Sequence, residues 1–196
     1  MNALPIALSV FLVGTVQSSA MEPAFEPVGQ IVKFDFDTPD GHYEEWNQDI
    51  VCPVNALRAT VHFTRYGMPT TQFQPGVNAY LLSGEGNKIR LAKIGFHAMA
   101  FRPPFLVTME AGDSKAAWQK LTLARQTGDS NWFSFQLVWS PDGTASGSAD
   151  GQVGTVSMRT APQRIHLLGF SGAGEVSIQL GYLKSNDRND ACRPVA

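Results

Sequence analysis

Charge is scarce in this sequence. Lys, Arg, Asp and Glu make up 16% of its 196 residues, against roughly 25% in an ordinary soluble domain. The 15 basic and 17 acidic side chains leave a formal charge of −2. Nucleic-acid binding draws its affinity from clustered Lys and Arg that displace phosphate counterions, so this balance argues against nucleic acid as a partner. Cysteine is scarcer still: Cys52 and Cys192 are the only two, and two sulfurs without adjacent His make a poor structural zinc site. The four His residues show no H-E-x-x-H spacing. No apolar run reaches the ~20 residues a membrane-crossing helix needs, and no stretch repeats its apolar residues at the helical period. A chain of this length suits one hydrophobic core.

Residues 1–20 carry no charged side chain, and an apolar run over 6–16 leads to Gln17, Ser18, Ser19 and Ala20. Small residues at 18 and 20 suit a signal peptidase. The pattern predicts a signal peptide cleaved after Ala20, a secreted or periplasmic protein, and no transmembrane segment in the mature chain. In such an oxidising compartment Cys52 and Cys192 are expected to form a disulfide, which stabilises by roughly 2–4 kcal/mol and ties down a tail over 185–196. Residues 21–30, with Pro23 and Pro27, read as an extended lead-in to a domain over 31–184.

Within that domain the dominant period is two. Leu57, Ala59, Val61 and Phe63 alternate with Arg58, Thr60, His62 and Thr64, and Phe133, Phe135, Leu137 and Trp139 alternate with Ser134, Gln136 and Val138. This is the pattern of strands with one buried face. Similar runs cover 32–36, 79–82, 89–94, 105–109, 118–124, 153–158, 165–167 and 176–182, giving roughly ten strands at the spacing of a sandwich or barrel. Pro141-Asp142-Gly143 and Asp150-Gly151 are hairpin signals, because such turns need positive φ. Antiparallel pairing throughout is the expectation.

The run WFSFQLVWSPDGTASGSADGQV resembles the paired strands of laminin G-like and other concanavalin A-like jelly rolls, in which a Trp-led strand precedes a D-G hairpin, a short strand and a second D-G turn. RIHLLGFSGAGEVSIQLGYL resembles the closing strand, Gly-rich loop and final strand of that fold. Ser148 and Ala149, before the second D-G, stand where the family usually carries a bulkier pair. The resemblance implies an all-β, antiparallel two-sheet jelly-roll sandwich whose concave face or rim loops often bind glycans. The same architecture also carries glycoside hydrolases and polysaccharide lyases.

Three functional readings follow: a non-catalytic domain that recognises carbohydrate or a cell-surface glycoconjugate, a polysaccharide lyase or hydrolase, and a structural protein-interaction domain. For the first, strand alternation places Trp118 and Trp132 on polar faces, Gln136 beside the latter, where flat indoles suit stacking on sugars. Tyr43 and Trp46, in GHYEEWNQD, add a loop contact. For the second, Arg58, His62 and Tyr66 fall at i, i+4 and i+8 on one strand face, with Arg90 and His97 as neighbours. A lyase needs a cation to neutralise a uronate carboxylate together with a proton acceptor and donor. The acids of FDFD, Asp35 and Asp37, share a strand face, but no E-x-D-x-E run of a retaining glycosidase occurs. No cofactor is implied: Asp37, Asp40, Glu44 and Asp49 are oxygen donors of the kind calcium prefers, without the spacing of a calcium loop. Gly169-Phe170-Ser171-Gly172-Ala173 lacks the last Gly of a nucleophile elbow.

Overall fold

The computed structural model describes residues 24–51, 53–68, 74–83, 90–98, 105–111, 119–126, 131–158 and 160–184; for 90–91, 95–98, 105, 119 and 124–126 it describes the backbone alone. Residues 1–20, expected to be a signal peptide, and Trp118, Cys52 and Cys192 lie outside the described residues.

Eleven strands account for most of them: β1 (Phe25–Pro27), β2 (Val32–Asp49), β3 (Ala56–Tyr66), β4 (Gly76–Leu82), β5 (Arg90–Ala98), β6 (Phe105–Ala111), β7 (Gln119–Gln126), β8 (Trp132–Trp139), β9 (Thr144–Ala149), β10 (Gln152–Ser157) and β11 (Arg164–Leu183). The hydrogen-bonded order is β10-β9-β8-β3-β11-β4-β5-β6-β7, with β1 and β2 also on β11. Every strand pair is antiparallel.

This single ladder folds back on itself into two layers. Residues 164–170 of β11 pair with β4, and residues 172–181 pair with β3, while β2 follows β11 through both halves. The bend lies at Ser171, fully buried and at φ 43°, where the register with β2 slips. Its carbonyl accepts from Gly67 N at 2.7 Å and its hydroxyl accepts from Gly41 N at 2.9 Å. A non-glycine residue in this region is strained, and buried bonds of this kind hold it there. The β8–β9–β10 end then lies over the β5–β6–β7 end: a Cβ built on Gly147 of β9 would come within 2.9 Å of Met109 Sδ, and one on Gly154 of β10 within 2.6 Å of Leu123 Cδ2. Glycine at these two positions permits the close approach of the layers.

The core between them holds the predicted inward residues Leu57, Ala59, Val61, Phe63, Phe133, Phe135, Leu137 and Trp139, joined by Phe34 and Phe36 of β2. Asp35 and Asp37 point outward, exposed. At the β9–β10 turn Asp150 and Gly151 both have positive φ, 49° and 73°, as a two-residue hairpin requires.

Two sequence expectations are corrected. The stretches 165–167 and 176–182 are halves of one 20-residue strand, with no Gly-rich loop between them. GHYEEWNQD is strand rather than loop: residues 43–49 of β2 pair with β11, Trp46 packs on the core, and Tyr43 is exposed. Pro39, Asp40 and Gly41 sit at the bend, where the β2–β11 register skips from Thr38 to Tyr43 and a missing proline N–H costs no ladder bond.

Candidate functional site

The residues singled out on β3 and β8 meet on the outer face of the layer containing β10, β9, β8 and β3. In one cross-strand row Arg58 is the direct neighbour of Gln136 on β8 and Gln179 on β11; in the next, Thr60 lies between Ser134 and Ser177; in the third, His62 lies between Trp132 and Glu175. The short middle row separates two rows of larger side chains about 13 Å apart along the strands.

The first row is held by a 2.7 Å hydrogen bond from Arg58 Nε to Gln136 Oε1. The guanidinium carbon stands 4.2 Å over the centre of the Phe25 ring, a cation–π contact. That ring packs against Gly181, where a Cβ would come within 2.5 Å of it. The middle row is tied by a 3.0 Å bond between Thr60 and Ser134 hydroxyls. In the third row the His62 imidazole and the Trp132 indole stack, centroids 4.0 Å apart and planes 7° apart, and Trp132 keeps 52% exposure. Asn131 Nδ2 sits 3.0 Å from His62 Nε2 and donates to the Phe63 carbonyl at 3.0 Å, orienting the imidazole. The Lys33 ammonium, 2.9 Å from Glu175, and after it the Ser177 hydroxyl hold the Glu175 carboxyl below its ordinary value.

Between Arg58 and the β9–β10 turn the face sinks into a depression of about 430 Å³, lined by Thr60, Ser134, Gln136, Ser148 and Asp150.

Tyr66 does not join this face. The β3–β11 register slips at Thr64, which puts Arg65 outward, 2.5 Å from Asp37, and turns Tyr66 onto Phe63 with ring centres 4.9 Å apart. A one-residue bulge reverses the side on which each later residue emerges. Loss of solvation pushes the Tyr66 phenol up to about 12, the wrong direction for a proton acceptor at neutral pH. The Arg58, His62 and Tyr66 trio of a lyase is therefore not assembled. The acids considered for calcium are dispersed: Asp37 pairs with Arg65, Asp40 accepts from Met68 N at 2.7 Å, and Asp49 pairs with Arg164 at 2.7 Å. Among the described residues no three His, Cys, Asp or Glu side chains converge as a metal site.

No protein-family model and no curated protein matches this sequence. Among solved structures, a fructofuranosidase from Schwanniomyces occidentalis, complexed with fructose, is similar with TM-score 0.53 and 14% identity over 80% of this chain. The match takes in 34% of that larger chain, about a third of its length. An alginate lyase from Alteromonas sp. 272 (TM-score 0.46, 12% identity, 64% of this chain and 68% of that one) and a tetrameric galectin from the sponge Cinachyrella sp. (TM-score 0.45, 14% identity, 72% and 99%) are also similar. The fold is an all-β, antiparallel jelly-roll sandwich.

This jelly roll carries a second polar row that the sequence reading missed, on the outer face of the other layer. His166, Tyr80, Lys93, Glu110 and Lys120 are successive neighbours across β11, β4, β5, β6 and β7. The five lie on five different strands, so only the pairing order reveals the row. Its charges satisfy one another: Glu110 lies 2.9 Å from Lys93 and 3.3 Å from Lys120; the His166 ring is 3.0 Å from Glu45 of β2. Burial raises the Glu110 carboxyl, but the Lys93 hydrogen bond and charge, with those of Lys120, outweigh it and leave it below its ordinary value. Beside this row the buried Asn78 donates to Tyr80 Oη at 3.1 Å, and its Oδ1 has no partner among the described residues.

Proposed function

We propose that this chain is an exported, non-catalytic jelly roll that binds carbohydrate, free or on a cell-surface glycoconjugate, through the outer face of β3, β8 and β9. The observation that carries the reading is the depression of about 430 Å³ bounded by Arg58 and Gln136 on the face that also presents the Trp132 indole. A sugar offers hydroxyls that pair with amide, guanidinium and hydroxyl groups, and flat C–H faces that stack on an aromatic ring. This face supplies both within about 13 Å along β8. The opposite layer is the weaker candidate, because its Lys93, Glu110 and Lys120 are already paired with one another.

A glycan array probed with the mature protein, with and without calcium, tests the reading. The ligand found is then titrated calorimetrically into wild type, Trp132→Ala and Gln136→Ala. The expected result is a glycan ligand whose affinity falls about tenfold or more in at least one variant with little change in melting temperature. Unchanged affinity in both variants, or no glycan ligand at all, defeats the proposal and leaves a protein-interaction domain as the better reading.

A further inference from the structure

Arg58 differs from the other basic side chains. Lys33, Arg65, Lys93, Lys120, Arg164 and Lys184 each lie within 4.0 Å of a carboxylate. Among the described side chains Arg58 is the one Lys or Arg without a carboxylate partner. Its Nε is bonded to the neutral Gln136 amide and its plane rests on the Phe25 ring, while no described residue bonds its two Nη nitrogens. The guanidinium is thus fixed at two points, with one edge of paired donors unused at the margin of a depression.

An edge of two parallel N–H groups matches the two oxygens of a carboxylate. Fixing the guanidinium in advance lowers the entropy lost when that match is made. Around it are the uncharged polar groups of Gln136, Gln179, Thr60, Ser134 and Ser148. The carboxylates on the same face are placed away from it: Glu175 is held by Lys33, Asp37 is held by Arg65, and Asp35 lies on β2 opposite Glu175. Asp150, at the far end of the depression, is two strands from Arg58, about 10 Å. The site is positive at one end and negative at the other.

The geometry points to an acidic sugar, a uronic acid within a glycan, whose carboxylate pairs with the Nη edge of Arg58 while its hydroxyls face Ser148 and Asp150. This rests on the carbohydrate reading of the same face and narrows it to one chemical class.

The test titrates the full-length mature protein with three probes: an oligogalacturonate, the same oligomer with its carboxylates reduced to alcohols, and a sulfated neutral oligosaccharide. Wild type is expected to bind the uronate at least tenfold tighter than the reduced oligomer, and tighter than the sulfated one, with affinity falling as salt rises. Arg58→Gln should erase the preference. Arg58→Lys, which keeps the charge and loses the paired edge, should keep only part of it. Asp150→Asn should tighten uronate binding two- to threefold, and unchanged circular dichroism establishes that the variants fold. Equal affinity for uronate and reduced oligomer, a sulfate preference, or an uronate preference that survives Arg58→Gln overturns the inference. If a neutral glycan binds in a manner dependent on Trp132 or Gln136 while these probes do not discriminate, only the acidic class fails. If no glycan binds, the carbohydrate reading fails with it.

Discussion

His62 and Trp132, direct neighbours across β3 and β8, lie ring on ring with 4.0 Å between centroids. The stack fixes the indole plane, and Asn131 in turn fixes the imidazole. A ring locked in place beforehand loses little freedom when a sugar settles on it. Trp132→Ala should therefore weaken glycan binding about tenfold or more, and Asn131→Ala, which leaves the indole present but less constrained, should weaken it less. Calorimetric titration of the two variants reads the order; an Asn131→Ala variant that binds as tightly as wild type would mean that the orientation of His62 is irrelevant to binding.

Close packing at the bend makes Gly174 a position where one methyl group matters. A Cβ there would come within 2.4 Å of the His62 carbonyl oxygen and 3.1 Å of the Phe36 ring. Overpacking of this kind costs about 1–3 kcal/mol. Gly174→Ala should lower the melting temperature by roughly 5 °C, whereas Gly151→Asn, at an open turn with positive φ where Asn is tolerated, should change it little. A thermal melt of Gly174→Ala that matches wild type would show that the backbone there shifts without cost.

Glu110 gives a pH dependence with a definite sign. Its carboxyl is held below its ordinary value in the fold by Lys93 and Lys120, and its side chain is 16% exposed. A carboxylate of this kind contributes stability above its unfolded pKa of about 4.3, and that contribution is lost as pH falls through the lower folded value. Glu110→Gln should cost about 1–3 kcal/mol at pH 7, and the difference from wild type should shrink steadily below roughly pH 4. Denaturant melts across this range check it. A gap that persists at low pH would assign the loss to packing rather than charge.

The pairing of Cys52 with Cys192 is an expectation that follows from export and an even cysteine count. Support comes from the end of β11, where Leu183 N donates to Asn55 Oδ1 at 3.0 Å, bringing the chain that leads to Cys192 back beside the segment that follows Cys52. A non-reducing peptide map of exported protein should contain the two joined peptides. Recovery of both thiols in alkylated form from exported protein would rule the bridge out.

Much of the fold was legible in local pattern. Alternation at Leu57 to Phe63 and Phe133 to Trp139 named the inward side chains correctly, because one buried face imposes a period of two whatever the partner strand is. The D-G turn at Asp150 and Gly151 was legible because few residues accept its backbone angles. The continuity of β11 was not, since its Gly-rich middle reads locally as a loop. Nothing in the sequence around Thr64 announces the bulge that removes Tyr66 from the face of Arg58 and His62. A bulge is a property of two strands, decided by how β3 fits the bend of β11.

The amino-acid sequence by itself determined that this chain forms antiparallel strands, which side of β3 before its bulge and of β8 is buried, and that Asp150 and Gly151 make a tight turn, because these depend on neighbours a few residues away. The order of the strands decided the rest. Arg58 meets Gln136 only because β3 lies beside β8, 78 residues on, and it stands on Phe25 only because β1 returns to the end of β11. That it lacks a carboxylate partner among the described residues depends on where the acids of the face came to rest. Such relationships join residues far apart in the chain, and their energies act only once the core has fixed the register of the strands that carry them.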